Sequence, residues 1–253
     1  MLVINRQKKH GVNFREIWFA EEKSELDGII LYRGAKEPIG NMLRRVRTLV
    51  TDLRKTPEEL MSACQKDCKY QIRRAEREGI SASFLCGKDI TATDINDFLE
   101  FFMEFWTTKG GAQETYEKYK EEIETYVREG VFAITKAITD EKTLVYHTYI
   151  VGDDFVRSYQ SASLFRQDKA EARTVSYANR YLHMQDMLYF KNAGKSTYDW
   201  GGAGLSDEVK AITEFKASFG GEELYYYDCE DLVGTMAHAV KGLINLIGMI
   251  SDD

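Results

Sequence analysis

Apolar and polar positions change their spacing many times along the chain, and each change marks an element. FREIWFA (14–20), GIILYRG (28–34) and RTLVTDLR (47–54) are rich in aromatic and β-branched residues and predict strands. Thr56-Pro57-Glu58-Glu59 opens a helix: Thr56 can cap, Pro57 suits the first turn, and Glu59 completes a capping box. That helix is expected to run to about Glu78 and stop at Gly79. ISASFLC (80–86) predicts a short strand, and 94–108 a helix with Ile95, Phe98, Leu99, Phe102, Phe105 and Trp106 on a wide apolar face. A more polar helix follows over 114–129. Three strands, 131–139, 143–151 and 155–163, are joined by turn-like connectors. A helix over 174–193, a strand over Thr197–Trp200, a helix capped by Ser206, a strand over 223–228 and a helix over 231–249 complete the series.

From residue 80 the order is β-α-α-β-β-β-α-β-α-β. An antiparallel meander feeds a helical crossover into a further strand, and the right-handed crossover rule makes the strands flanking that helix parallel. The fold class is α/β, in the α+β sense of a mixed sheet with helices against it.

Composition adds bounds. The chain has 253 residues, 43% hydrophobic and 30% charged, as expected of a globular domain. With two prolines, Pro38 and Pro57, and no Gly/Ser-rich tract, no linker is apparent. MLVINRQKKHGVNF lacks the apolar core of a secretory signal, and no apolar run is long enough to span a membrane, so a cytoplasmic location is expected. Four cysteines without a Cys-x-x-Cys pair, and four histidines, argue against a zinc cluster and for reduced thiols. Residues 1–82 hold 17 Lys+Arg and 12 Asp+Glu, a balance of +5; the remainder holds 17 and 29, a balance of −12. The basic part suits an anionic ligand, although so small an excess also arises by chance. The last helix carries an apolar face with Lys241 as its single basic residue, which fits packing on the domain or on a second copy better than an anionic membrane.

The most suggestive chemistry is in YDWGGAGLSDEVKAITEFKASFGG (198–221). A strand ends at Asp199, Gly201 and Gly202 follow, and Phe215-Lys216 sits on the next helix. Side-chain-free backbone lets a ligand approach main-chain N–H groups. The residues leave alternatives open: Asp199 can cap its own turn, and Lys216 can be a solvated lysine near a helix C-terminus. Arg73 and Arg77 share a helix face and Arg74 points elsewhere. All three suit phosphate or carboxylate, or pairing with Glu76 and Glu78. In the meander, Tyr159 and Ser161 are expected on one face and Gln160 on the other. His147 reads as a satisfied sheet histidine and His183 as an ordinary helix position.

Three segments together resemble the Fem-type branch of the GNAT acyltransferase superfamily, the aminoacyltransferases that build peptidoglycan cross-bridges: YQIRRAEREGI (70–80), ANRYLHMQDMLYFKNAGKSTYDWGG (178–202) and ITEFKASFGGEELYYY (212–227). The resemblance implies a GNAT-like acyltransferase domain over 80–253, preceded by a reduced N-terminal half over 1–79. It implies Lys216 at the reaction centre, where a fixed cation steadies the oxyanion of acyl transfer. It places Asp199 beside the acceptor amine, to hold the ammonium or take its proton. Tyr70, Arg73 and Arg74 would hold an anionic acceptor, Tyr159 and Ser161 would orient substrate, and Gly201, Gly202 and Phe215 would line the site. No permanent cofactor is implied; the co-substrate is acyl-CoA or aminoacyl-tRNA, so tRNA is a candidate partner and DNA is not. LFRQDKAEART (164–174) has no glycine where acetyl-CoA users of the superfamily carry a pyrophosphate loop, which leaves the donor open. The expected function is transfer of an acyl or aminoacyl group to an amine on a cell-envelope precursor, either a peptide stem or a nucleotide-linked amino sugar. The alternative is a non-catalytic ligand- or protein-binding module on the same fold.

Overall fold

The computed structural model describes residues 2–6, 12–108, 115–140, 142–164, 169–204, 207–233 and 239. The chain packs as two compact units, Met1–Thr48 with Leu224–Asp253, and Leu49–Glu223.

In the first unit, β1 (Leu2–Asn5) pairs antiparallel with β2 (Phe14–Trp18), and β2 runs parallel to β3 (Gly28–Ala35). β3 pairs antiparallel with β10 (Glu222–Val233). The sequence pattern had not marked β1, and β10 extends through Val233 where a helix was expected from 231; the remainder of that helix, with its apolar face, lies outside the described residues. Ile17, Ile30, Tyr32, Ala35 and Cys229 form the core. Glu16 and Asp228, both buried, are held by arginines: Arg6 and Arg33 on Glu16, Arg33 and Arg44 on Asp228. Part of the basic excess of the first 82 residues is therefore neutralised internally.

β4 (Asn41–Asp52) begins in the first unit and ends in the second. In the second unit the strand order is β4-β9-β8-β7-β6-β5, where β5 is Ser81–Cys86, β6 Phe132–Ile138, β7 Thr143–Val151, β8 Phe155–Ser163 and β9 Thr197–Asp199. β5 to β8 are antiparallel, and β8 and β9 are parallel, as the crossover rule requires of strands joined by helix α5 (Lys169–Asn192). α3 (Ala92–Thr108) and α4 (Thr115–Arg128) pack on each other. α5 packs on α2 (Lys66–Arg77) and on β6 and β7. α6 (Asp207–Ala217) follows β9; the proposed cap Ser206 lies outside the described residues.

One expected helix is two. Thr56 and Glu59 do exchange capping-box hydrogen bonds, but α1 (Pro57–Ala63) ends where Cys64 and Gln65 turn extended, and α2 starts at Lys66. The break is tertiary. The Gln65 amide donates to the Ser218 carbonyl, beside the C-terminal end of α6, at 2.8 Å instead of continuing the helical ladder.

β8 carries an irregularity that bears on the expected site residues. Thr148 pairs with Gln160 and Tyr149 with Ser158, so Tyr159 is the extra residue of a β-bulge. The bulge corrects the expected alternation. Tyr159 donates its hydroxyl to Glu122 of α4 and packs on Tyr126, whereas Ser161 pairs with His147, whose ring turns to α5. Tyr159 and Ser161 therefore lie on opposite faces of the sheet.

Candidate active site

β9 lies between β4 and β8, and the residues at its end divide between two faces. Tyr198 and Trp200 are fully buried beside Met184, Met187, Phe190 and Phe219, and the Trp200 indole donates to Thr51 Oγ1 at 3.0 Å. Asp199, 1% exposed, points to the other side, where Arg157 of β8 donates to Oδ2 at 2.5 Å. Its Oδ1 accepts the Gly201 amide at 2.8 Å, so Asp199 does cap its own turn. Gly201 and Gly202 follow with φ +62° and +61°, the left-handed region that side chains disfavour.

The turn aims two carbonyls at one nitrogen. Lys216 Nζ donates to Gly201 O at 2.5 Å and to Gly202 O at 2.7 Å. Burial lowers its pKa from 10.5 to about 8, against the opposing pull of Asp199 and with a smaller push from Arg157. An ammonium has three hydrogens, so two bonds to carbonyls leave one for a substrate oxygen. As a free amine, the same nitrogen would present a lone pair.

Beyond its rungs with β9 at Phe155–Arg157, β8 continues to Ser163. The Ser158 carbonyl at this parting abuts Gly201 closely enough that a Cβ there would lie 2.4 Å from the oxygen. Phe215 packs on His183 at 5.6 Å and on Phe219 at 5.6 Å between ring centroids.

Thus Asp199, Gly201, Gly202 and Lys216 form one group, while Phe215, next to Lys216 in the chain, packs on His183 and Phe219. Tyr70, Arg73 and Arg74 make no hydrogen bond, ion pair or ring contact with it. Tyr70 is exposed and meets Tyr177 edge-on at 6.4 Å. Arg74 pairs with Glu78 at 2.6 Å, its helix neighbour. Arg73 lines a cavity of about 470 Å³ with Met61, Lys69, Met184 and Leu188.

A buried polar network on α5 went unread in the sequence. Asn179, His183 and Asp186 stand at i, i+4 and i+7, the spacing of a core stripe, and this was the signal available. His147 Nε2 meets Asn179 Oδ1 at 2.9 Å, and Nδ1 meets Asp186 Oδ2 at 2.8 Å. Tyr149 donates to the same Oδ2 at 2.5 Å, so its oxygen accepts from Tyr198 at 2.8 Å. Tyr198 in turn accepts from His183 Nδ1 at 2.8 Å, which leaves His183 Nε2 as a lone pair. Burial raises the pKa values of both tyrosines and lowers that of His183, with smaller pushes on His183 from His147, Lys216 and Arg180. His147, His183 and Asp186 offer ligand-type atoms within 4.8 Å of one another. However, their rings stack at 3.9 Å and the facing atoms are engaged in hydrogen bonds, a poor disposition for a shared ion. Tyr149→Phe is expected to cost about 1–3 kcal/mol, because it strips a donor from buried Asp186 and an acceptor from Tyr198. Urea unfolding measures it.

No protein-family model matches the sequence, and no curated protein matches it. Solved structures do. FemX superposes with a TM-score of 0.60 at 12% identity, covering 78% of this chain and 63% of FemX. The fold is GNAT-like, in its Fem-type form. The GNAT-like fold thus spans under two thirds of the FemX chain. L-PGS from Bacillus licheniformis shares it at a TM-score of 0.50 and 13% identity, over 87% of this chain and 73% of that one.

Proposed function

We propose that the chain is an acyltransferase that moves an acyl or aminoacyl group from acyl-CoA or aminoacyl-tRNA to an amine on a cell-envelope precursor, a peptide stem or a nucleotide-linked amino sugar. The observation that carries this reading is the seat of Lys216: a half-buried nitrogen, held by two carbonyls of the post-β9 turn, with a third hydrogen to give. The amine attacks the activated carbonyl, the thiolate or ribose oxygen departs, and the ammonium of Lys216 steadies the tetrahedral oxyanion between those events. Holding both reactants where β8 and β9 part lowers the entropic cost of their meeting. Asp199, already bonded to Arg157 and Gly201, acts first as a positioning residue that shapes the turn; an arriving ammonium would compete with Arg157 for Oδ2. Arg73, Arg74 and Tyr70 on α2 are proposed for the anionic acceptor; Tyr159 and Ser161, on opposite faces of the sheet, do not act together on one substrate. A reduced half over 1–79, an acyltransferase part from residue 80 and a cytoplasmic setting belong to the same reading.

The test is incubation with labelled acyl-CoA and, separately, charged tRNA against a panel of amine acceptors. Label is expected in an amide with one donor, and Lys216→Met is expected to slow its formation by about 10²–10³-fold. Ligand binding without transfer from either donor would instead favour a non-catalytic binding module. A tRNA donor further predicts a steep fall in transfer with salt, because many phosphate contacts release counterions.

A further inference from the structure

We infer that Arg180 is an anion-recognition residue of this same site, receiving a carboxylate or phosphate group of a substrate in a two-pronged hydrogen bond. The inference rests on the acyl-transfer reading for its purpose, but not for its geometry.

Arg180 lies on α5 with its guanidinium carbon 4.5 Å from the centroid of the Phe215 ring. Phe215 immediately precedes Lys216 on α6, and both Arg180 and Lys216 press on the buried His183 imidazole. Arg6, Arg33, Arg44, Arg54, Arg74 and Arg157 each meet a carboxylate within 3.3 Å. Arg180 makes no ion pair or hydrogen bond with any described residue, and its buried Nε has no acceptor. The Asp67 carboxylate draws on the Arg180 charge without forming an ion pair with it. Burial presses on its charged form, as it does on Lys216.

A guanidinium Nε–H buried without an acceptor is costly, and packing alone does not call for a charged group there. Lying flat on a ring satisfies the face of the group and leaves its edge, with the N–H fork, for a partner. That fork matches two oxygens of one carboxylate or phosphate. Phe215 is then a shelf that orients Arg180, and the pair presents the free fork to an anionic group of the substrate. The arrangement was invisible in the sequence because Arg180 and Phe215 are separated by a strand and a turn.

The experiment follows the Arg180 Nε–Hε signal by NMR in arginine-labelled protein, with Arg180→Lys to assign it. Pyrophosphate is titrated in one arm and N-acetylalanine in the other. A saturable shift with either probe is expected, and the arm that responds identifies phosphate or carboxylate as the source. Thermal stabilisation by the same probe should be at least about tenfold weaker in Arg180→Met than in the parent. Arg180→Met alone should melt at or above the parent temperature, since it removes an unsatisfied charge. Arg180→Lys, which keeps the charge and loses the fork, should also bind about tenfold more weakly, and it serves if Arg180→Met does not fold. Failure of both probes to shift the parent signal, or equal binding by parent and Arg180 variants, would overturn the inference. Probe binding that needs Arg180, in a protein that transfers from neither donor, would leave this inference standing and remove the transferase reading.

Discussion

Lys216→Met is expected to lower kcat by about 10²–10³-fold with KM changed only a few-fold, the signature of an interaction made in the transition state and not with bound substrate. Methionine matches the length of the side chain and removes the charge. The loss should not be one of folding. Lys216 has its pKa lowered from 10.5 to about 8 by burial, so between those values the unfolded chain binds the proton more tightly than the folded one. Stability of the parent should therefore rise with pH from about 8 to 10.5, and fall back as pH drops through 8. Lys216→Met should lack that slope and be as stable as the parent, or more so, at neutral pH. Steady-state kinetics paired with urea unfolding at two pH values reads both effects.

Gly201→Ala carries the largest expected structural effect, about 2–4 kcal/mol of destabilisation, as left-handed strain and a backbone clash add. A methyl group there would sit 2.4 Å from the Ser158 carbonyl oxygen, on backbone that cannot swing aside. Gly202 has nearly the same φ but nothing within 4 Å of an added Cβ. Gly202→Ala should thus cost only about 1 kcal/mol, the strain alone. Both substitutions disturb the carbonyls that hold Lys216, so both should reduce transfer, Gly201→Ala far more. Chemical denaturation of the two variants side by side separates the clash from the strain.

Much of the architecture was legible because the local signals agreed with the tertiary result. The meander over 131–163 was recovered as three antiparallel strands, and the crossover rule gave the parallel pairing of β8 with β9. What escaped was set by distant partners. The break at Cys64–Gln65 depends on a carbonyl from residue 218, and helix propensity at 56–78 carries no trace of it. The bulge at Tyr159 inverts the faces that strict alternation assigns. In the site, the turn after Asp199 and the lysine of the Phe-Lys pair were readable as a cluster of special residues, with the resemblance supplying the reason to join them. Arg157 and Arg180 were not singled out. One is marked by the carboxylate it meets across β8 and β9, the other by the absence of one, and neither relation has a sequence spacing. The polar stripe Asn179, His183 and Asp186 had a visible period, but only the fold shows that it faces His147.

The most direct test of the central claim is the pH dependence of kcat/KM for transfer, compared between the parent and Lys216→Arg. The ammonium role predicts a falling limb near pH 8 in the parent, as Lys216 loses its proton, and no such limb in Lys216→Arg, whose charge persists above pH 10. A parent profile that climbs through pH 8 to a plateau, or a falling limb that survives unchanged in the arginine variant, would contradict it.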